Sequence, residues 1–356
     1  MILDNVESFP EMDPEGMLAD IDALPDQLQA AWALGQKSPL PEGKAFRHVV
    51  VAGMGGSAIG GDMLRAYAAS AASVPIIVWR NYGLPAFVQG PESLVIVSSH
   101  SGNTEEALSV FEEAKKAGAS LIAVTTGGKL ALRAGQADVA CWIFEHSGQP
   151  RAAVGYSFGL LLAAVSRLGL IADPGQEMAD AILQMRNQQQ EIQAPVPIVE
   201  NSAKRIAGQL MGRLPIILAA DHLVPVARRW TTQINELAKA VAQYNELPEA
   251  DHNMIAGVNN PETLFGSTMV LFLRSAGFHP RNLQRTDLTK QVMMIEGFST
   301  GFIDVCGDTR LAQQWTALHF GDYVAYYLAI SYMENPTPVP VLEEFKRRMI
   351  ENQAEH

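Results

Sequence analysis

Residues 49–62 read VVVAGMGGSAIGGD. A β-branched apolar run breaks into a turn in which Gly53, Gly55, Gly56, Gly60 and Gly61 surround one serine, Ser57. A strand feeding a glycine-rich turn and then a helix lets backbone approach a phosphate closely, and the helix N-terminus adds unpaired amides and a favourable dipole. Gly53-x-Gly55-x-x-Ala58 satisfies the relaxed dinucleotide fingerprint, so a nicotinamide or flavin site and a sugar-phosphate site compete for the same turn.

On either side of this turn, short apolar runs alternate with helical patterns. HVVVAG (48–53), PIIVWR (75–80), SLVIVSS (93–99), SLIAVTT (120–126) and DVACWIFE (138–145) have little polar alternation, as expected of strands covered on both faces. Between them SAIGGDMLRAYAASA, GNTEEALSVFEEAKKAG and KLALRAGQ read as helices, the middle one stopping at Ala117-Gly118. The pattern predicts an α/β fold with a doubly wound, Rossmann-like parallel sheet flanked by helices. Residues 153–171, AVGYSFGLLLAAVSRLGLI, then predict a long apolar helix.

Composition changes at 173–201, which is Gln-rich, polar and ends in a proline-containing connector. This divides the chain into an N-terminal domain (1–172), a connector (173–200) and a C-terminal domain (201–356), in keeping with a length of 356 residues. The second half repeats the alternation without a glycine-rich loop. RLPIILAA (213–220), TMVLFLRS (268–275) and KQVMMIEG (290–297) read as strands. QINELAKAVAQY and segments near 311–332 and 340–352 read as helices. The apolar SFGLLLAAVSRLGL and YVAYYLAISYM are expected in the core.

Bulk properties narrow the function. The net charge is −12, and the longest basic runs are the pairs Arg228-Arg229 and Arg347-Arg348, which excludes polyanion binding to a basic surface and hence nucleic acid. The start of the chain, MILDNVESFPEMDPEGM, lacks the basic region of a signal peptide, and no stretch reaches the ~18 apolar residues of a membrane span, so the expectation is a cytoplasmic protein with no membrane partner. Two cysteines, Cys141 and Cys306, both in apolar sequence, are expected to be buried reduced thiols rather than a disulfide framework.

A dinucleotide site needs an acidic residue at the end of the second strand to hold the ribose hydroxyls. That strand instead ends in Arg80 and Asn81, which weakens the dinucleotide reading and leaves room only for a 2′-phosphate. The third strand runs into SSHSGNTEEAL, where Ser98, Ser99, Ser101 and Thr104 crowd one strand-to-helix turn. N-capping accounts for one such hydroxyl and leaves three unexplained. Two hydroxyl-bearing turns from neighbouring strand ends can converge on a single phosphate.

The pair GMGGSAIGGD and SSHSGNT resembles the sugar isomerase (SIS) domain. WTTQINELAKAVAQYNELPEADHNMIAG (230–257) is similar to the active-site segment of the bifunctional phosphoglucose/phosphomannose isomerases, a branch of the phosphoglucose isomerase superfamily, and the resemblance runs over nearly the whole chain. It implies two SIS-type domains and a cytoplasmic, glycolytic and gluconeogenic isomerase that needs no cofactor or metal. The reaction interconverts glucose 6-phosphate, and mannose 6-phosphate, with fructose 6-phosphate through a cis-enediol.

By the same resemblance, Gly56, Ser57, Ser99, Ser101 and Thr104 hold the phosphate, Glu236 is the base and Arg151 stabilises the enediolate. His252 moves the ring-oxygen proton from across a homodimer interface, Lys346 assists ring opening, and Thr337 governs acceptance of the mannose epimer. His100 departs from the family pattern, which has an aromatic or small residue at that point of the serine turn. A zinc-dependent isomerase is disfavoured because the eight histidines form no HxH or HxxH pair. The remaining alternatives are a non-catalytic phosphosugar-binding regulator and an amino-sugar phosphate isomerase.

Overall fold

A computed structural model describes residues 2–42 and 45–353. The chain opens with two short helices, α1 (Phe9–Met12) and α2 (Met17–Asp22), and a longer one, α3 (Leu24–Gly35). Strands β1 (His48–Ala52), β2 (Ile76–Trp79), β3 (Ser93–Ser98), β4 (Ser120–Thr125) and β5 (Ala140–Ile143) then form a parallel sheet in the order β2-β1-β3-β4-β5. Helices α4 (Gly55–Ala68), α5 (Glu105–Lys116), α6 (Gly128–Gln136) and α7 (Val154–Arg167) cover it. All five expected strands are present. The turn after α5 is as expected too: Gly118 takes φ +67°, the left-handed conformation that closes a helix at little cost to glycine.

A second parallel sheet has the order β7-β6-β8-β9, from β6 (Leu214–Ala220), β7 (Gln243–Leu247), β8 (Thr268–Arg274) and β9 (Ser299–Asp304). Helices α8 (Gly175–Ile192), α9 (Ser202–Leu210), α10 (Val224–Leu237), α11 (Pro280–Ile295), α12 (Arg310–Ser331) and α13 (Pro340–Gln353) complete the chain. The Gln-rich stretch thus contains an 18-residue helix that packs on α12. Its buried Met178, Ala181, Ile182, Met185 and Ile192 recur at helical spacing.

Three expectations are corrected. KQVMMIEG is the last part of α11 and not a strand; Pro280 opens that helix and Met294 and Ile295 lie exposed on it. QINELAKAVAQY splits, because α10 ends at Leu237 and Gln243 and Tyr244 begin the polar edge strand β7. Cys306 is exposed and Cys141 only half-buried, although both thiols are free.

The core sits between the sheets. From Leu311 to Ile330 every residue of α12 is buried, because α2, α8, α9 and α10 surround it. The apolar segment 154–165 is likewise buried, as expected, except at Tyr156. Close approach of α3 to α7 depends on missing side chains: a Cβ on Gly159 would lie 2.6 Å from that of Ala31, and one on Gly35 would lie 2.4 Å from that of Ala163. Edge-on packing of Phe158 on Trp315, with ring centroids 5.2 Å apart, and the bond from Gln314 Nε2 to the Met63 carbonyl (3.2 Å) tie α12 to the helices of the first sheet.

Candidate active site

The order of the first sheet reverses between β1 and β3. At such a switch point the two following connections leave in opposite directions and open a crevice at the carboxyl ends of the strands. Both glycine- and serine-rich turns lie there. A Cβ on Gly53 would fall 2.6 Å from the Ser98 carbonyl oxygen and 3.2 Å from Ser57 Cβ, so the end of β1, the first turn of α4 and the end of β3 are packed together. Ser57 is buried in that first turn, and Ser99 is buried just past β3.

Thr104 occupies the N-cap of α5 but its side chain does not cap the helix; its hydroxyl is 3.0 Å from the Ser99 hydroxyl. No side-chain bond from Thr104 caps the first turn of α5, and a helix N-terminus favours an anion. Ser101 is exposed, and its hydroxyl accepts from the Asn103 amide at 3.2 Å. The turn is held from below by Thr126, whose amide (3.0 Å) and hydroxyl (2.7 Å) both donate to the His100 carbonyl. Tight packing fixes it further: a Cβ on Gly102, at φ +66°, would lie 1.9 Å from the Gly127 carbonyl oxygen.

The His100 ring faces His146, with Nε2 of the first 3.0 Å from Nδ1 of the second. Burial pushes His100 down to about 4, aided by His146, and burial also lowers His146 against the opposing pull of the Asp20 carboxylate. The two rings are thus a neutral donor–acceptor pair at pH 7. Asp20, from α2, is brought close by Gly148, whose added Cβ would meet Asp20 Oδ2 at 2.6 Å and His146 Cε1 at 2.9 Å. Burial raises the Asp20 carboxyl, and His146 opposes the shift.

Arg151 is the centre of the arrangement. The Gly56 turn abuts its backbone, since a Cβ on Gly56 would be 2.7 Å from the Pro150 carbonyl oxygen and 3.4 Å from Arg151 Cα. Its buried guanidinium reaches the Glu236 carboxylate of α10 (Nη1–Oε2 3.5 Å), donates to the Pro336 carbonyl at 2.9 Å, and donates to that of Thr337. Burial pulls Arg151 below its ordinary value while Glu236 opposes, and an arginine remains a cation under such a shift. The pair joins a residue that follows the first sheet to one on a helix of the second.

Arg229 braces this centre from behind. It donates to Asp322 of α12 (Nε–Oδ1 3.1 Å, Nη2–Oδ2 2.8 Å) and to the Arg151 carbonyl (2.8 Å), and both charged residues are almost fully buried. Among the described residues, Arg151 Nε and Thr337 Oγ1 are buried without a hydrogen-bond partner. Buried polar groups are rarely left unpaired in a finished protein, so these two mark where a ligand or water makes up the difference.

The expected residues therefore divide. Gly56, Ser57, Ser99, Ser101 and Thr104 line two adjoining turns, and Arg151, Glu236 and Thr337 meet beside them. His252 ends a 3₁₀ turn after β7, exposed and without a hydrogen bond among the described residues. Lys346 stands on the exposed face of α13 with no partner among the described residues, among exposed Val341, Leu342, Phe345 and Met349. Neither is joined to Arg151 or Glu236 within one chain. The sequence reading did not single out Arg229, Asp322, Asp20 or His146. No run of residues advertises them, since Arg229 and Asp322 meet only through the fold.

Residues 199–349 match the family model for the bacterial phospho-glucose isomerase C-terminal SIS domain. A bifunctional phosphoglucose/phosphomannose isomerase from Caldicellulosiruptor bescii is 38% identical over 94% of this chain and 99% of its own length. One from Aquifex aeolicus is 32% identical over 85% of this chain and 91% of its own. Among solved structures, a hypothetical protein from Thermus thermophilus superposes with a TM-score of 0.73 at 16% identity, covering 95% of this chain and 91% of that one, a likeness of fold.

Proposed function

The chain belongs to the bifunctional phosphoglucose/phosphomannose isomerase family, and from that footing we propose that it interconverts glucose 6-phosphate, and mannose 6-phosphate, with fructose 6-phosphate. The observation that carries this reading is the contact of Arg151 with Glu236 (3.5 Å) beside the two phosphate-type turns. Aldose–ketose isomerisation needs a phosphate anchor, a carboxylate base and a cation near the developing enediolate, and side chains suited to each role adjoin here.

In the proposed reaction the turns of Ser57, Ser99, Ser101 and Thr104 hold the 6-phosphate and the sugar ring opens. Glu236 takes the proton from C2 of the open aldose. The C–H electron pair becomes the C1–C2 double bond, and the C1 carbonyl oxygen becomes an enediolate oxygen stabilised by Arg151. Glu236 then returns the proton to C1 as the O2 proton passes to O1, giving the C2 ketone and the C1 hydroxyl. Atoms and electrons balance without an oxidant or reductant, so the chemistry calls for no redox cofactor.

In this reading residues 1–172 form the phosphate-binding SIS domain, 173–200 the connector and 201–356 the domain supplying Glu236. His252 serves the ring-oxygen proton of a second subunit in a cytoplasmic homodimer, which accords with its exposed, unpaired position. Lys346 assists ring opening and Thr337 sets tolerance of the mannose epimer. The enzyme acts in glycolysis and gluconeogenesis.

A coupled assay from fructose 6-phosphate tests this. Wild type is expected to form both aldose phosphates in the presence of EDTA, and Glu236→Gln to lose about 10²–10⁴-fold in kcat. Failure of wild type to form glucose 6-phosphate, or full activity of Glu236→Gln, refutes the proposal.

A further inference from the structure

Sequence alone makes Lys239 a surface partner for the Glu236 carboxylate three residues before it. In the fold its ammonium turns elsewhere, donating to the main-chain carbonyls of Glu236 (2.9 Å), Leu237 (3.2 Å) and Asn335 (2.6 Å). The first two carbonyls belong to the end of α10, the helix that carries Glu236. The third opens the loop 335–337, whose next two carbonyls are held by Arg151. Asn335 is itself tied into this loop, since its side-chain oxygen accepts from the Thr337 amide at 2.9 Å.

Lys239 also sits at φ +53°, just past the end of α10. Helices commonly end on a left-handed residue, and that residue is usually glycine, because other side chains strain the conformation. A lysine here keeps the strain and gains three rotatable donors at helix-terminal carbonyls. Burial pulls its ammonium below the ordinary value, Arg151 adds to that, and the carboxylates of Glu334, Glu236 and Glu15 oppose it.

We propose that Lys239 is a positioning residue for the isomerisation: by lacing the end of α10 to the loop 335–337, it fixes Glu236 and Thr337 relative to Arg151. The inference rests on the isomerase reading above and adds a residue to it. Two cations divide the same loop between them. Arg151 grips the carbonyls of 336 and 337 from the first sheet's side, and Lys239 grips that of 335 from the base's own helix. Without Lys239 the loop keeps its bonds to Arg151 but loses its direct hydrogen bond to the end of the helix that carries Glu236.

Among the described residues no hydrogen bond joins the phosphate turns to Lys239, so its loss acts on kcat more than on KM. Lys239→Met is expected to lower kcat about 10–100-fold with both aldose phosphates, the scale of a misplacement near 1 Å, and to change KM by less than about threefold. It should also shift the mannose-to-glucose ratio of kcat/KM by at least about threefold. That ratio is independent of how much of the sample is folded.

Lys239→Arg, which restores donors, should remain within about threefold of wild type. Lys239→Gly relaxes the left-handed backbone while deleting the donors; it should melt within about 3 °C of wild type yet match Lys239→Met in lost kcat. Wild-type kcat in either the Met or the Gly variant overturns the inference, as does a uniform loss with an unchanged substrate ratio. Wild type inactive on both substrates would instead bring down the isomerase reading and this inference with it.

Discussion

The Arg229–Asp322 pair gives a prediction that can be worked quantitatively. Arg229→Met keeps the stem but removes two charge-assisted bonds to a carboxylate on the buried helix α12 and one bond to the Arg151 carbonyl. Leaving one partner of a buried pair uncompensated costs about 3–5 kcal/mol. At roughly 2–4 °C per kcal/mol the melting temperature should fall by about 6–20 °C, toward the lower end for a chain this long.

Burial already pushes the Asp322 carboxyl up while Arg229 opposes it. In the variant the upward push is opposed only by the weaker hydrogen bond from Gln233. A carboxyl raised in the folded state carries a penalty at neutral pH that shrinks as acid protonates it, so the gap between variant and wild type should narrow from pH 7 toward pH 4. Urea denaturation at several pH values measures this. Arg229→Met/Asp322→Leu, which removes both charges, should recover to within about 1–2 kcal/mol of wild type. It should still isomerise slowly, because the Arg151 carbonyl has lost its anchor. A loss below about 1 kcal/mol in the single variant, or a double variant no more stable than the single, refutes the reasoning.

Gly56→Ala would drive a methyl group to 2.7 Å from the Pro150 carbonyl oxygen and push the phosphate turn away from Arg151; steady-state kinetics should show KM raised about tenfold or more, roughly 1.4 kcal/mol of binding. His319, wholly buried with Nε2 2.9 Å from the Ile21 carbonyl, is held down to about 4 by burial. Its lowered folded value contributes stability present above its unfolded value near 6.5 and lost as pH falls toward 4. Denaturation between pH 7 and 5 should therefore show a loss to which this residue adds about 2 kcal/mol, and His319→Gln should reduce that slope. Mixing unfolded and refolded Glu236→Gln with His252→Ala should restore about a quarter of wild-type activity if sites are shared between two subunits, since half the dimers then carry one intact site. No recovery on mixing would confine each site to one chain.

The first sheet was legible because its strands are short, β-branched and separated by glycine-bearing turns. The second was less so. Val292, Met293, Met294 and Ile295 form an apolar run that suits a buried strand, and only Pro280 far upstream marks it as helix. Gln243–Leu247 is polar because it is an edge strand with one open side, so the period-2 signal is faint. At the site, Ser57, Ser99, Thr104, Glu236 and Arg151 stood within recognisable segments. Asp20, His146 and the Arg229–Asp322 brace did not, because their partners lie in other elements and pair only after folding. Lys239 was visible but misdirected: spacing along a helix points it at a carboxylate, whereas the left-handed backbone turns it to carbonyls.

The beginning of the chain is bound in part to its end. Ile21 accepts from His319, Asp22 from Tyr323, and Glu15 from Asn335, contacts that span 298, 301 and 320 residues. At a synthesis rate of about 5–20 residues per second, the first twenty residues wait roughly 15–60 s on the ribosome before these partners exist. Throughout that interval Leu3, Phe9, Met17 and Ile21, all buried in the finished protein, lack the helix they will pack against. The loop that carries Thr337 gains its tie to Glu15 only when nearly all of the chain has been made, so a nascent chain can hold both serine-bearing turns complete while this tie is still missing.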